Sequence, residues 1–290
     1  MLTLFQASDL HFGSPHDPVA AAALARAIED AEPDVLVLAG DFTQRAKVRE
    51  YEQARAFLDA LPDVPTVVTP GNHDVPLYRV AERLLHPLRN YRRYISEALD
   101  TVTEVPGAMF VALDSTAPHR AIVNGRVDGA QLAFAARNFQ RADPEALRVV
   151  VLHHHLAGAP DYERDSPLPG ARRLLDRMRE MGVELVLGGH LHRGFVARSA
   201  DVCPDHRNGG EVLIAHSGTA CSTRGRAREK GRMSVNLIRV EDERIVVEQR
   251  LLDDARERYR PTWTYVWPRA LGPAAGRRGA RRSSAVEEPA

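Results

Sequence analysis

A chain of 290 residues, 44% hydrophobic and 27% charged, has enough material for one large or two small globular domains with a substantial core. Basic and acidic residues both number 39, so a net charge of zero supplies no overall pull toward nucleic acid or an anionic membrane, although a local basic patch stays compatible with it. Two cysteines, Cys203 and Cys221, make no disulfide framework, and the absence of a Cys-x-x-Cys pair argues against thiolate zinc. The N-terminus lacks the basic and apolar segments of a signal peptide, and no run approaches the ~20 apolar residues that span a bilayer. A reduced, cytoplasmic setting without a membrane span is therefore expected.

Residues 3–7 read as a short strand leading into Asp9-Leu10-His11. Residues two apart on an extended chain point to the same side, so Asp9 and His11 can aim at one point. Residues 19–31 carry Leu24, Ala27 and Ile28 at helical spacing. The apolar run from 34 ends at Gly40-Asp41 and reads as a strand covered on both faces. Residues 48–61 form a helical stripe of Tyr51, Ala54, Phe57, Leu58 and Leu61, and the strand 64–69 delivers Gly71-Asn72-His73-Asp74. This alternation predicts an α/β fold with parallel neighbours.

Residues 77–98 are predicted helical in part, a candidate cap over 77–99. Its arginines are either solvated or placed over an anionic substrate. A strand over 108–113 ends at Asp114-Ser115, and Asp128 is expected to cap a helix through Leu132, Phe134, Ala135 and Phe139. A strand over 147–152 runs into His153-His154-His155, a helix covers 171–181, and a strand over 183–187 leads to Gly188-Gly189-His190-Leu191-His192. Strands then follow at 211–215, 233–240 and 245–252, with antiparallel pairing and a second sheet expected. The main domain is placed at 1–268. The stretch 269–290, rich in Gly, Pro, Ala and Arg, is expected to be a disordered tail whose arginines are solvated or meet an anionic partner.

Polar residues collect where the apolar runs stop: Asp9, His11, Asp41, Asn72, His73, His153, His190 and His192. A Gly-Asn-His-Asp turn alone is weak evidence, because those residues are common turn formers. Eight Asp, Asn and His residues at five strand ends are a different matter. Carboxylate, imidazole and amide oxygen suit Mn, Fe and Zn. One catalytic ion needs about three protein ligands, whereas this set fits two ions ~4 Å apart that share a carboxylate. With only two carboxylates such a centre stays cationic, which favours a phosphate ester. Strand alternation lets either His153 or His155 face the metals.

In this order, Asp9-x-His11, Gly40-Asp41, Gly71-Asn72-His73-Asp74, His153 and Gly189-His190-x-His192 resemble the calcineurin-like metallophosphoesterase family. The resemblance implies a four-layer αββα sandwich with two mixed β-sheets and a dinuclear centre at one edge. It implies Asp9, His11, Asp41 and His192 on the first metal, with Asp41 bridging to a second held by Asn72, His153 and His190. His73 would contact the phosphate and protonate the leaving oxygen, and Asp74 would support His73 or cap the turn. Among the three histidines the family pattern selects His153, although Leu156-Ala157-Gly158 stands where members often carry prolines. The implied reaction is in-line attack by a hydroxide bridging the two ions.

Within the family the chain is most similar to the bacterial class III cyclic-nucleotide phosphodiesterases, through its single domain, the Leu-His-His-His run and Ser217-Gly218-Thr219-Ala220. A small phosphoester such as a cyclic nucleotide is the expected substrate. A DNA-processing nuclease, disfavoured by the zero net charge, and a lipid-sugar-nucleotide pyrophosphatase are the enzymatic alternatives. A scaffold with the same fold is the non-enzymatic one. Sequence alone is silent on oligomeric state and on which metal is bound.

Overall fold

Alternation along each strand assigns its side chains to two different cores. In the computed structural model, which describes residues 1–120, 123–161, 166–202, 204 and 210–269, strand β2 (Val35–Ala39) shows this directly. Val35, Val37 and Ala39 enter a core between two sheets, while Leu36 and Leu38 enter a second core beneath helices.

The first sheet combines β1 (Leu2–Ala7), β2 and β3 (Thr66–Thr69), all parallel, with the antiparallel strands β10 (Ser234–Val240), β11 (Arg244–Leu252) and β12 (Tyr259–Pro268). Its order is β12-β11-β10-β1-β2-β3. The second sheet has the order β4-β5-β6-β7-β9-β8. In it β5 (Ala108–Ala112), β6 (Leu147–Val151), β7 (Leu185–Gly188) and β9 (Leu213–His216) are parallel, and β4 (Thr101–Val105) and β8 (Phe195–Arg198) are antiparallel edges.

Helices α1 (Pro18–Ala31) and α2 (Val48–Asp59) cover the outer face of the first sheet through Leu24, Ile28, Tyr51 and Ala54. Helices α5 (Gly129–Phe139) and α6 (Ala171–Glu180) cover the second through Ala135, Phe139, Leu174, Leu175 and Met178. Asp128 caps α5 by accepting from the Ala130 and Gln131 backbone N–H groups. The result is the four-layer αββα sandwich of two mixed sheets. No helix among the described residues is long and apolar enough to cross a membrane.

Three details go beyond the sequence reading. The region 77–99, expected to be helical in part, holds two short helices, α3 (Val80–Leu85) and α4 (Arg89–Tyr94). Pro87 separates them, since it lacks an N–H and disfavours helical geometry at His86. Tyr91 of α4 is buried beside Phe42, whereas Leu84 and Leu85 of α3 are 51% and 71% exposed. Arg79, its side chain 39% exposed, donates to the Arg45 and Ala46 carbonyls and pins that loop. The closing strands β10 and β11 pair antiparallel as expected and extend the first sheet beside β1, while β9 joins the second in parallel. Arg269, assigned to the tail, pairs with Glu184; residues 270–290 lie outside the described residues.

Strands β4, β8 and β12 escape the sequence reading. In β12, Pro261 sits at a register shift on an outer strand, where a missing N–H is tolerated. Buried amides join the sheets near the parallel-strand ends. Gln6 Nε2 donates to the Gly188 and Ala215 carbonyls at 2.9 and 3.0 Å, and Asn236 Nδ2 donates to Gln6 Oε1 at 2.9 Å.

Candidate metal centre

The carboxyl ends of β1, β2, β3, β6 and β7 converge on one edge of the sandwich. They bring together Asp9 and His11, Asp41, the tight turn Asn72–Asp74, His153, and His190 with His192. The first sheet supplies the acids and the amide, and the second supplies three histidines. Asp9, His11, Asp41, His190 and His192 all lie at positive φ, between 50° and 75°. A non-glycine residue there costs about 1–3 kcal/mol and persists only where its surroundings demand it.

Asp9, His11, Asp41 and His192 place one donor atom each within 4.8 Å of one another, and all four are buried. His192 Nε2 lies 3.1 Å from Asp9 Oδ1 and 3.0 Å from His11 Nε2. A second group forms around Asn72 Oδ1, which lies 3.2 Å from His153 Nε2 and 2.9 Å from His190 Nδ1. Asp41 connects the two groups: its Oδ2 is 3.6 Å from His11 Nε2 and 3.4 Å from His153 Nε2.

The donor set fits cations. His153 Nδ1 donates to the Ala39 carbonyl at 2.7 Å, and His192 Nδ1 to the Arg224 carbonyl at 3.2 Å. In the neutral tautomers both Nε2 atoms then present lone pairs to oxygens and to another imidazole. Asp9 Oδ1 and Asp41 Oδ2 are buried and accept no hydrogen bond. Acceptors facing acceptors in a buried space call for positive charge between them. A proton can supply part of it: burial opposes charge on His153, but the Asp41 and Asp9 carboxylates and the Ala39 carbonyl outweigh that and raise its pKa to about 9. Burial also works against the Asp9 and Asp41 carboxylates, yet the surrounding histidines hold both below the usual range.

The turn carrying Asn72 is held from below by Asp74. Its carboxylate accepts from the backbone N–H groups of Phe42, Thr43 and Gly71 and from the Thr43 hydroxyl. Burial and the neighbouring Asp41 raise its pKa to about 7. Asp74 thus splices the Asp41 loop to the turn rather than contacting the His73 ring. That ring donates from Nδ1 to the Gln44 carbonyl at 2.9 Å, leaving Nε2 free to face a ligand, and the His73 backbone N–H donates to Asp41 Oδ1 at 2.7 Å. Burial depresses the His73 pKa, Asp41 opposes this, and Arg224 adds to it.

Gly71 allows the close approach, because a methyl there would overlap the Asp41 carboxylate and backbone nitrogen. Gly71→Ala is expected to destabilise the protein by about 2 kcal/mol or more, the upper range for overpacking a tight site. Thermal melting together with metal content checks this; an unchanged melting point and full metal loading would count against the packing argument.

The family model for calcineurin-like phosphoesterases matches residues 2–194, a span that includes all five strand-end motifs. The chain belongs to the calcineurin-like phosphoesterase family. As such it is a metal-dependent phosphoester hydrolase. A probable cyclic nucleotide phosphodiesterase of Synechococcus sp. is 28% identical over 207 residues, covering 67% of this calcineurin-like chain and 75% of the relative. One of Rhodococcus erythropolis is 24% identical over 262 residues, covering 84% and 81%. The fold resembles a purple acid phosphatase of yellow lupin seeds (TM-score 0.69, 13% identity, 91% of this chain), of whose length the match covers 53%. It also resembles a dimetal phosphatase of Danio rerio (TM-score 0.63, 13% identity, 92% of this chain and 98% of that one).

Several residues of this calcineurin-like centre lay outside the sequence reading. Ser8 donates to Asp9 Oδ2, Thr219 Oγ1 donates to the Asp9 carbonyl at 2.8 Å, and Gln44 and Arg224 hold His73 and His192 by their carbonyls. His155 stacks on His190 and His216 stacks on Phe195 behind the donor set. Two of these had a signal: Thr219 lies within the Ser217–Ala220 run, and His155 is the histidine that strand alternation offered beside His153.

Proposed function

We propose that the protein is a dinuclear phosphodiesterase acting on small phosphodiesters, 3',5'-cyclic nucleotides among them. Asp9, His11, Asp41 and His192 hold one ion, and Asp41, Asn72, His153 and His190 hold the other. The observation that carries this reading is Asp41 Oδ2, an oxygen without a hydrogen bond between histidines of both groups. The ligand types admit Mn, Fe or Zn. Such ions supply Lewis acidity toward phosphate oxygens and a water acidified toward neutrality.

The chain's own residues do the rest. With Nδ1 committed to the Gln44 carbonyl, His73 meets the phosphate through Nε2. An anion beside a buried imidazole raises its pKa, so His73 takes up a proton as substrate binds and delivers it to the leaving oxygen. Because the site draws on both sheets, residues 1–268 act as one catalytic domain. The two cyclic nucleotide phosphodiesterase relatives support the substrate class.

Protein reconstituted with manganese is expected to hold two ions per chain and to hydrolyse bis(p-nitrophenyl) phosphate and a 3',5'-cyclic nucleotide. A stoichiometry that saturates at one ion rejects the dinuclear assignment. Turnover of the model diester without any cyclic nucleotide rejects the substrate class alone, and turnover that survives Asn72→Ala rejects the site.

A further inference from the structure

Arg224 lies outside the five strand-end motifs, in the loop between β9 and β10. That loop is fastened to the centre at several points. The Ala220 N–H donates to the Ser8 carbonyl, Thr219 Oγ1 to the Asp9 carbonyl, and the Arg226 N–H to the His192 carbonyl. Arg224 contributes its own carbonyl, which accepts from His192 Nδ1. Its side chain turns to the opposite rim, where Nη1 donates to Gln44 Oε1 at 2.8 Å. The backbone carbonyl of the same glutamine accepts from His73 Nδ1. Gln44, itself buried, therefore fixes both the imidazole and the guanidinium beside the metal centre.

A guanidinium carries five donors in a rigid fork. Here one hydrogen bond is formed to protein, and among the described residues Arg224 has no ion pair with a carboxylate. Half-burying an arginine without such a partner is costly unless something else answers its charge. The anions that bear on it are Asp41 and Asp9, while Arg226 and Arg45 repel it. Cations bound to those two carboxylates would leave it without a local anion. A phosphate ester entering against His73 restores one, with two oxygens to offer the fork.

We propose that Arg224 grips the substrate: its guanidinium, oriented by Gln44, donates to non-bridging phosphate oxygens beside His73, so that the two side chains flank the phosphate. This inference rests on the phosphoesterase reading of the site. It goes beyond the strand-end motifs, none of which contains an arginine. The competing role is that of a brace, in which Arg224 merely props up Gln44 and, through it, His73.

Substitution separates these roles, because the contact with His192 belongs to the Arg224 backbone and survives a change of side chain. In manganese-loaded Arg224→Ala, metal content should match the parent protein. KM for bis(p-nitrophenyl) phosphate and the inhibition constant of inorganic phosphate should both rise about 10- to 100-fold, as expected for loss of a charge-assisted hydrogen bond. Arg224→Lys should recover part of both, since it keeps the charge and loses the fork. Unchanged inhibition by phosphate in both variants would overturn the proposal, and so would a fall in kcat or metal content with KM unmoved, the mark of a brace. Should the parent turn over no phosphoester, the phosphoesterase reading falls by itself. Titration of inorganic phosphate into the loaded parent and Arg224→Ala then decides Arg224: weaker binding by the variant supports the grip, and equal binding, or none by the parent, removes it.

Discussion

Replacing Asp41 with asparagine should reduce bound metal from two ions per chain to one or fewer. It should also lower kcat/KM by about 10⁴-fold, equivalent to ~5.5 kcal/mol of transition-state stabilisation. The size of the effect follows from its position. Asp41 Oδ2 is the atom common to both donor groups, and Oδ1 accepts from the His73 N–H, so under the proposed function one carboxylate would serve two metal positions and the turn that carries His73. Asparagine suits the test because it tolerates the left-handed backbone needed at φ +55° and can keep accepting from His73. The metal-free variant should therefore melt no lower than the metal-free parent. Two tightly held ions together with near-parental activity would refute the bridging assignment.

His73→Ala should behave in the opposite way toward metal. Its ring donates only to the Gln44 carbonyl and is absent from the compact donor group, so metal content should stay at the parental level. Turnover should fall by about 10²- to 10⁴-fold, the range for losing a general acid, when the leaving group is an alkoxide such as a ribose oxygen. The loss should shrink for p-nitrophenolate, which departs without a proton. Comparing the two leaving groups is the decisive measurement. An equal loss with both would assign His73 to phosphate binding alone, and no loss with either would remove it from the mechanism.

The strand-end residues were legible because of how parallel strands are buried. A run such as 35–39 is apolar on both faces, so the first polar residue after it announces the end of the strand and the edge of the sheet. Repeated at Asp9, Asp41, Asn72, His153 and His190, this marks one edge without knowledge of sheet order. The register among His153, His154 and His155 was less legible. Alternation allowed two choices, and the structure brings His153 to Asp41 and Asn72 while His155 stacks behind His190. Gln44 and Arg224 gave no sign because their roles are long-range: they are 180 residues apart and meet only when both sheets are assembled. Helix α3 is a different case, since Pro87 announces the break that the apolar spacing of Leu84, Leu85 and Leu88 conceals.

The place of β1 within the first sheet bears on how the chain is made. On one side β1 pairs with β2, which follows at once, but on the other it pairs with β10, so that Gln6 lies opposite Asn236. During synthesis that second side of Leu2–Ala7 stays bare until most of the polypeptide has emerged. A nascent chain then displays an unpaired apolar edge able to recruit the same strand of a neighbouring copy. Fragments that stop short of Ser234 keep that edge permanently. The β1–β10 pairing is thus the step at which a growing chain stops being a hazard to its neighbours.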